Sequence, residues 1–485
     1  MLQNRDGEPK SFRLYGLFSL VLLFAFTSAK AQSFEEFKRS QAVSFAKYSD
    51  ERDNDFHNYL KSQWKAYKQH QGIKLYDKPK PKNIAKLKQK KLKSVGPKIS
   101  IKLKKIQKTK QPQKSFGDIA HKDIEFDFFG SALGFDISQN IKMAKYYPYN
   151  QKGISNFFDT MASSQYNGLL KDIKKVQKDM QLNDWGVYLL IKEMAKNIYE
   201  DNEDNENLFS WFIFNKLGYA VKVGLAKKHT VLLFYSKKVI YSTPNYSFGD
   251  KKYYLIANYA KGGVGRLYSY EYSYPGASKP LSLSLGVLPK FVEDRKKTTL
   301  GFREFGKRYE VTYIYNQNLI DFMATYPQAD YEVFFNTPLA DETYTQLAKS
   351  LKKYLDGKKA GDAMNFVLHF VQKSFGYERD DEQFGREKVM FAQEALYYKK
   401  SDCEDRAVLY AALIKELFGV GVVGVKYKDH MATALYVPMS GDRVKDGSRE
   451  FVIADPTYIN ANIGQSMPKY RSKIPESFIV VKLKS

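Results

Sequence analysis

The sequence predicts an α+β fold, and three patterns carry that expectation. Apolar residues recur at helical spacing over 185–199, 208–217, 345–355, 363–375 and 403–418. Between about 251 and 316 the period changes to two: Tyr268, Tyr270, Tyr272 and Tyr274 alternate with Ser and Glu, Leu281, Leu283 and Leu285 with Ser, and Val311, Tyr313 and Tyr315 follow the same rule. That is the mark of an antiparallel sheet with one wet face. After the last helix, strand-like runs follow near 420–427, 430–437 and 450–454. The chain has 485 residues, 43% apolar and 27% charged, which suits several packed domains and excludes wholly disordered or collagen-like classes. No run approaches the ~18–20 apolar residues of a membrane-spanning helix.

The first 31 residues read as a cleaved export signal. Lys10 and Arg13 precede an apolar stretch at 17–26, and Ala29-Lys30-Ala31 offers a small-x-small cleavage site. The expected compartment is periplasmic or extracellular. From 32 to 70, aromatic residues fall every eleven positions: Phe34, Phe45, Phe56 and Tyr67, then Phe37, Tyr48 and Tyr59. An eleven-residue period predicts a long helix with slight right-handed coiling. Its stripe packs either on the protein's own body or on another chain, as in a coiled coil.

The net charge of +25 is unevenly placed. Residues 72–114 hold sixteen Lys, no Arg and one acid, Asp77, so +15 of the total lies there and +10 elsewhere. With Pro79, Pro81, Pro97 and Pro112, this stretch (71–115) reads as a mobile, disordered basic linker, with a short edge strand allowed at 99–103. It is suited to an anionic cell-envelope polymer. Lys without Arg or interleaved aromatics argues against specific nucleic-acid recognition. The remaining segments are 116–250, mixed α/β; 251–330, antiparallel β; and 331–485, which carries the chemistry.

One cysteine excludes an intrachain disulfide and any CxxC site, and no HExxH spacing occurs; neither metal nor cofactor is called for. Cys403 sits in Ser401-Asp402-Cys403-Glu404-Asp405-Arg406, directly before an apolar-periodic helix. Ser401 and Glu404 have capping-box spacing, which puts Cys403 at the second helical position. Helix N-termini lower thiol pKa values. The neighbouring acids oppose this unless they point outward, with Asp402 paired to Arg406 at i,i+4. The dipole alone is worth ~0.3–1 kcal/mol, so a second cation is needed. His430 opens the next buried strand, and Asp455 ends the strand after it, before Pro456-Thr457. If those strands pair antiparallel, Asp455 reaches the imidazole from the side away from the thiol. His430 then accepts the thiol proton, Asp455 orients the ring, and Cys403 attacks an acyl carbon with its own N–H as half an oxyanion hole. Gln393, Tyr397 and Tyr398 are candidates for the other half.

Residues 401–407, His430 and Asp455-Pro456-Thr457 resemble the transglutaminase-like superfamily, circularly permuted relatives of papain-like cysteine proteases. The resemblance covers roughly 345–470. It implies a Cys403–His430–Asp455 triad, a thioester intermediate, and a protein or peptide substrate that is hydrolysed or transamidated. The rival reading is an envelope scaffold or binding protein with a relic triad.

A second helix–strand unit lies about 201 residues earlier. The 208–217 helix before Gly218 matches the helix before Gly419, 220–225 matches 421–426, and His229 falls opposite His430. Thr243-Pro244-Asn245 stands opposite Asp455-Pro456-Thr457, and Asn202 opposite Cys403. This is either a degenerate transglutaminase-like unit or chance similarity.

Overall fold

A computed structural model describes residues 50–103, 115–116, 122–256 and 263–483. The leader at 1–31, and Phe34, Phe37, Phe45 and Tyr48 of the eleven-residue pattern, lie outside these residues. The described residues from 52 onward form one compact unit of mixed helices and antiparallel sheets, and those within 116–250, 251–330 and 331–485 share a continuous core.

Two halves of this unit are built alike. The helix Glu203–Lys216 leads into the strands Val221–Ala226, His229–Tyr235, Asn245–Phe248, Lys251–Tyr254 and Leu267–Tyr270. The helix Cys403–Phe418 leads into Val422–Tyr427, His430–Leu435, Arg443–Asp446, Arg449–Ala454 and Ser477–Val480. Numbering each set of strands in chain order, both sheets run five-one-two-four-three, with every neighbour antiparallel. The first sheet gains one more edge strand, Trp64–Tyr67, beside Leu267–Tyr270.

Local chemistry explains the shared start. Each helix is apolar on most faces because it packs inside the protein, and each stops at a glycine in the left-handed region, Gly218 at φ +89° and Gly419 at φ +65°. The first two strands are buried nearly throughout, so they read as continuous apolar runs rather than alternating ones. The topology corrects the sequence alignment of the halves in two places. The helix caps Asn202 and Asp402 correspond, so the counterpart of Cys403 is Glu203. Asp455 follows the fourth strand, whose counterpart Lys251–Tyr254 is followed by Leu255 and Ile256; Thr243-Pro244 leads into the third strand, which Asn245 opens.

The period-two region is only partly sheet. The four tyrosines 268–274 do not share one face as alternation requires: Tyr270 and Tyr274 are buried while Tyr268 and Tyr272 face solvent, because the strand Leu267–Tyr270 ends there. The hairpin Arg295–Glu304/Lys307–Asn316 packs on the helix Asp341–Leu355. Leu281, Leu283 and Leu285 are buried, but their backbone is irregular, because side-chain alternation alone does not supply a neighbouring strand edge. The aromatic helix also stops sooner than the repeat implies. It ends near residue 60, and Tyr67 lies in the strand Trp64–Tyr67. Phe56 packs against Phe158, Trp211, Tyr270 and Tyr274, so the described part of the stripe is covered within its own chain.

The largest departure is the basic segment. Residues 70–101 form a strap tied along the body by backbone bonds. His70 pairs with Asn245, Lys78 N–H donates to Lys428 O, and Ala85 and Leu87 bracket Ile459. Val95, Pro97 and Ile99 accept from Gly361, Ala360 and Gly357, and Ile99 N–H returns to Lys358 O. Lysine content alone suggested a spacer because most of those side chains do face water. Three of the strap's apolar residues, Leu75, Tyr76 and Ile101, are buried and anchor the path, while Ile73, Leu92 and Val95 face solvent.

Candidate functional site

Cys403 is the first residue of its helix, one position earlier than expected, because the cap is Asp402. The reciprocal bond is made by Asp405, whose Oδ2 accepts from Asp402 N–H at 3.2 Å, and not by Glu404. Ser401 Oγ instead accepts from Arg406 Nε at 3.1 Å. Arg406 also donates to the carbonyls of Gln372 and Phe375, at 3.2 and 2.9 Å, and so closes the end of the helix Ala360–Ser374. The expected Asp402–Arg406 pair is therefore replaced by a buried helix-end clamp.

The helix packs on the strand His430–Leu435, whose neighbour is Arg449–Ala454. That pairing is antiparallel and carries Asp455 to the imidazole: His430 Nε2 lies 2.9 Å from Asp455 Oδ2, with both side chains buried. A carboxylate only accepts, so Nε2 donates to it and Nδ1 is the ring nitrogen left to accept a proton. Asp455 Oδ1 accepts from the N–H groups of Thr457 and Tyr458, at 2.9 and 3.2 Å, which fixes the carboxylate. Tyr470 stacks on the imidazole, its ring centre 4.7 Å away. Its hydroxyl is held up in pKa by burial first, then by Asp429, and it also feels Cys403 and Asp455.

The thiol is sealed. Cys403 is fully buried, and among the described residues its partners are Glu404 Oε2, which accepts from Sγ at 3.1 Å, and Tyr76 Oη at 3.9 Å. No hydrogen bond joins it to His430. The acids expected to face outward face inward: Asp402, Glu404 and Asp405 are all buried. Burial, then Glu404 and Asp402, push the thiol pKa well up, against the opposing pull of Lys80. The helix start therefore does not dominate the thiol.

Lys80 comes from the strap. Its ammonium, itself buried, lies 2.7 Å from Asp402 Oδ2, 3.1 Å from Asp380 Oδ2 and 2.9 Å from Glu387 Oε2, and also bonds Glu404. These oxygens are grouped closely enough to hold a metal ion, but the cation they hold here is an amine. Acids outnumber the cation, and burial is costly for each of them. Burial first, then neighbouring acids, raises Asp380 to about 9 and Asp405 to about 8; burial, partly offset by Lys80, leaves Glu404 at about 7. Asp380 thus keeps a proton in the folded chain that the unfolded chain loses near its ordinary 3.8. Its contribution to stability is complete below that value and is lost as pH rises toward 9. Asp380→Asn is expected to gain on the wild type between pH 5 and 8, by up to ~1.4 kcal/mol per pH unit, in paired urea titrations.

The oxyanion candidates have partners of their own. Gln393 donates to Thr343 Oγ1 at 2.8 Å and accepts from Ala340 N–H at 3.3 Å, which secures the start of the helix Asp341–Leu355. Tyr397 packs on Tyr315, and Tyr398 on Phe384. Sequence reasoning missed Tyr76, Lys80, Asp380 and Tyr470. One signal was present: Tyr76 is the single aromatic residue in 72–114. In the first half, His229 is exposed at the start of its strand and pairs with Asp204, on the preceding helix, at 3.1 Å. No protein-family model, curated protein or solved structure matches the chain.

Proposed function

We propose that the chain is a cysteine-dependent acyl-transfer enzyme of the transglutaminase-like class, with Cys403 as nucleophile, His430 as base and Asp455 as orienter. The observation that supports it most is the buried His430–Asp455 pair at 2.9 Å, on adjacent strands of the sheet packed against the Cys403 helix. In the reaction, His430 Nδ1 takes the thiol proton and sulfur attacks the acyl carbon. The leaving amine departs with the proton from the imidazolium, and a thioester remains. Water or a second amine then takes the acyl group and frees the thiol. The first half, with its exposed His229 and apolar Leu255, is the degenerate member of a duplicated pair. In this reading the leader exports the protein, and the outward lysines of the strap offer salt-sensitive contact to anionic envelope polymer.

The test is acylation by p-nitrophenyl acetate, followed by intact mass. One acetyl group is expected on the wild type and none on Cys403→Ala. The rate should fall about 10²–10⁴-fold in His430→Ala. Equal acylation of wild type and His430→Ala would end the proposal. A second reading, a scaffold with a relic site, is favoured by the burial and raised pKa of the thiol. It predicts no acetyl group at Cys403 under any of these conditions.

A further inference from the structure

The strap does more than cross the body; between 76 and 81 it occupies the space directly over Cys403. Tyr76 Oη donates to Glu404 Oε2 at 3.3 Å and lies against the sulfur, and its ring packs on Tyr331. Four residues on, Lys80 fills the carboxyl-lined pocket of Asp380, Asp402, Glu404 and Glu387. The main chain between them is held as a bound peptide would be: Lys78 N–H donates to Lys428 O, in the turn before His430, and Tyr377 Oη donates to Pro81 O at 2.7 Å. Two side-chain pockets and two main-chain bonds read one extended segment. We propose that residues 72–82 are an intramolecular ligand that blocks the Cys403 site at rest, and that the Asp380–Asp402–Glu404–Glu387 pocket is a subsite for the ammonium of a peptide lysine, filled in cis by Lys80. This rests on Cys403 being the reactive group of the site.

Three features set this contact apart from ordinary packing. Lys80 is buried, although a solvated lysine is the default in such a segment. Its partners lie some 300 or more positions away in sequence, and two of them, Asp402 and Glu404, border the thiol. The segment is tied down by backbone bonds at its flanks and not woven into either sheet, so it can lift without breaking a β-ladder. When it lifts, a carboxyl that already keeps its proton, as Asp380 does, leaves fewer bare charges in the emptied pocket, so the body has a way to stay folded.

The experiment measures second-order alkylation of Cys403 by iodoacetamide in full-length chains: wild type, Tyr76→Ala, Lys80→Gln, and each with His430→Ala. Tyr76→Ala and Lys80→Gln are expected to label at least tenfold faster than wild type, with cooperative unfolding retained. A synthetic peptide of residues 72–82, at millimolar concentration, should slow that labelling, whereas the same peptide with Lys80→Gln should not. Labelling at the wild-type rate in folded variants overturns the block, and acceleration without protection by the native peptide overturns the lysine subsite. Faster labelling that ignores His430→Ala would leave the block standing and remove the acyl-transfer reading. Fast, His430-dependent labelling of the wild type would do the reverse. Should either variant unfold, hydrogen exchange on the wild type decides. The block requires 74–82 to open with the same urea dependence as Cys403 alkylation, and alkylation only on global unfolding refutes it.

Discussion

Replacing Arg406 with methionine is expected to destabilise the fold by about 3 kcal/mol, read as a lower urea midpoint at unchanged slope. The guanidinium is buried and serves three acceptors at once: Ser401 Oγ and the carbonyls of Gln372 and Phe375. Methionine fills comparable volume but leaves two helix-end carbonyls without donors, each worth ~1–3 kcal/mol when buried. Burial, opposed by Tyr377 and the neighbouring acids, lowers the arginine only to about 10, so it is charged at neutral pH. Lysine does not substitute, since one ammonium cannot span acceptors on two elements. Because Arg406 follows Cys403 by three positions, the same change is expected to loosen the start of the nucleophile helix.

Asp455→Asn is expected to keep the fold and reduce Cys403 acylation about 10³–10⁴-fold. The turn amides of Thr457 and Tyr458 need an acceptor at Oδ1, and the asparagine carbonyl supplies it. Its NH₂ then faces His430 Nε2. Two donors cannot share that contact, so the ring proton moves to Nδ1 and the lone pair that would take the thiol proton is lost. Nitrogen chemical shifts of the imidazole should report the exchanged tautomer, and an unchanged tautomer with full acylation would contradict the assigned roles. Asp455→Ala, by contrast, orphans both turn amides and should lose stability as well.

The elements that were legible in sequence are those whose pattern is local. The helix Cys403–Phe418 and the strands His430–Leu435 and Arg449–Ala454 follow from apolar spacing and from the flanking Gly419 and Pro456. The meeting of His430 with Asp455 follows from their antiparallel pairing. The orientation of Asp402, Glu404 and Asp405 was not legible, because a run of acids at a helix start is normally solvated. Here Lys80, more than 300 positions away, receives Asp402 and Glu404, and Asp405 is held by the amides of Met390 and Asp402. Lys80 itself could not be singled out, since it is one of sixteen lysines in 72–114 and differs from the others only in where the chain takes it. Tyr76 was the readable exception. Leu281, Leu283 and Leu285 show the converse error, where alternation reports which side is wet but not whether a partner strand stands alongside.

The strap also imposes an order on folding. Its residues leave the ribosome long before the carboxylates that receive Lys80, and the sheet beneath Cys403 is completed only by Ser477–Val480, at the far end of the chain. Closing so long a loop is entropically late. The nascent chain must therefore carry a loose, highly basic arm through most of its synthesis, and the lock over the sulfur turns only after the whole barrel of the lock has been made.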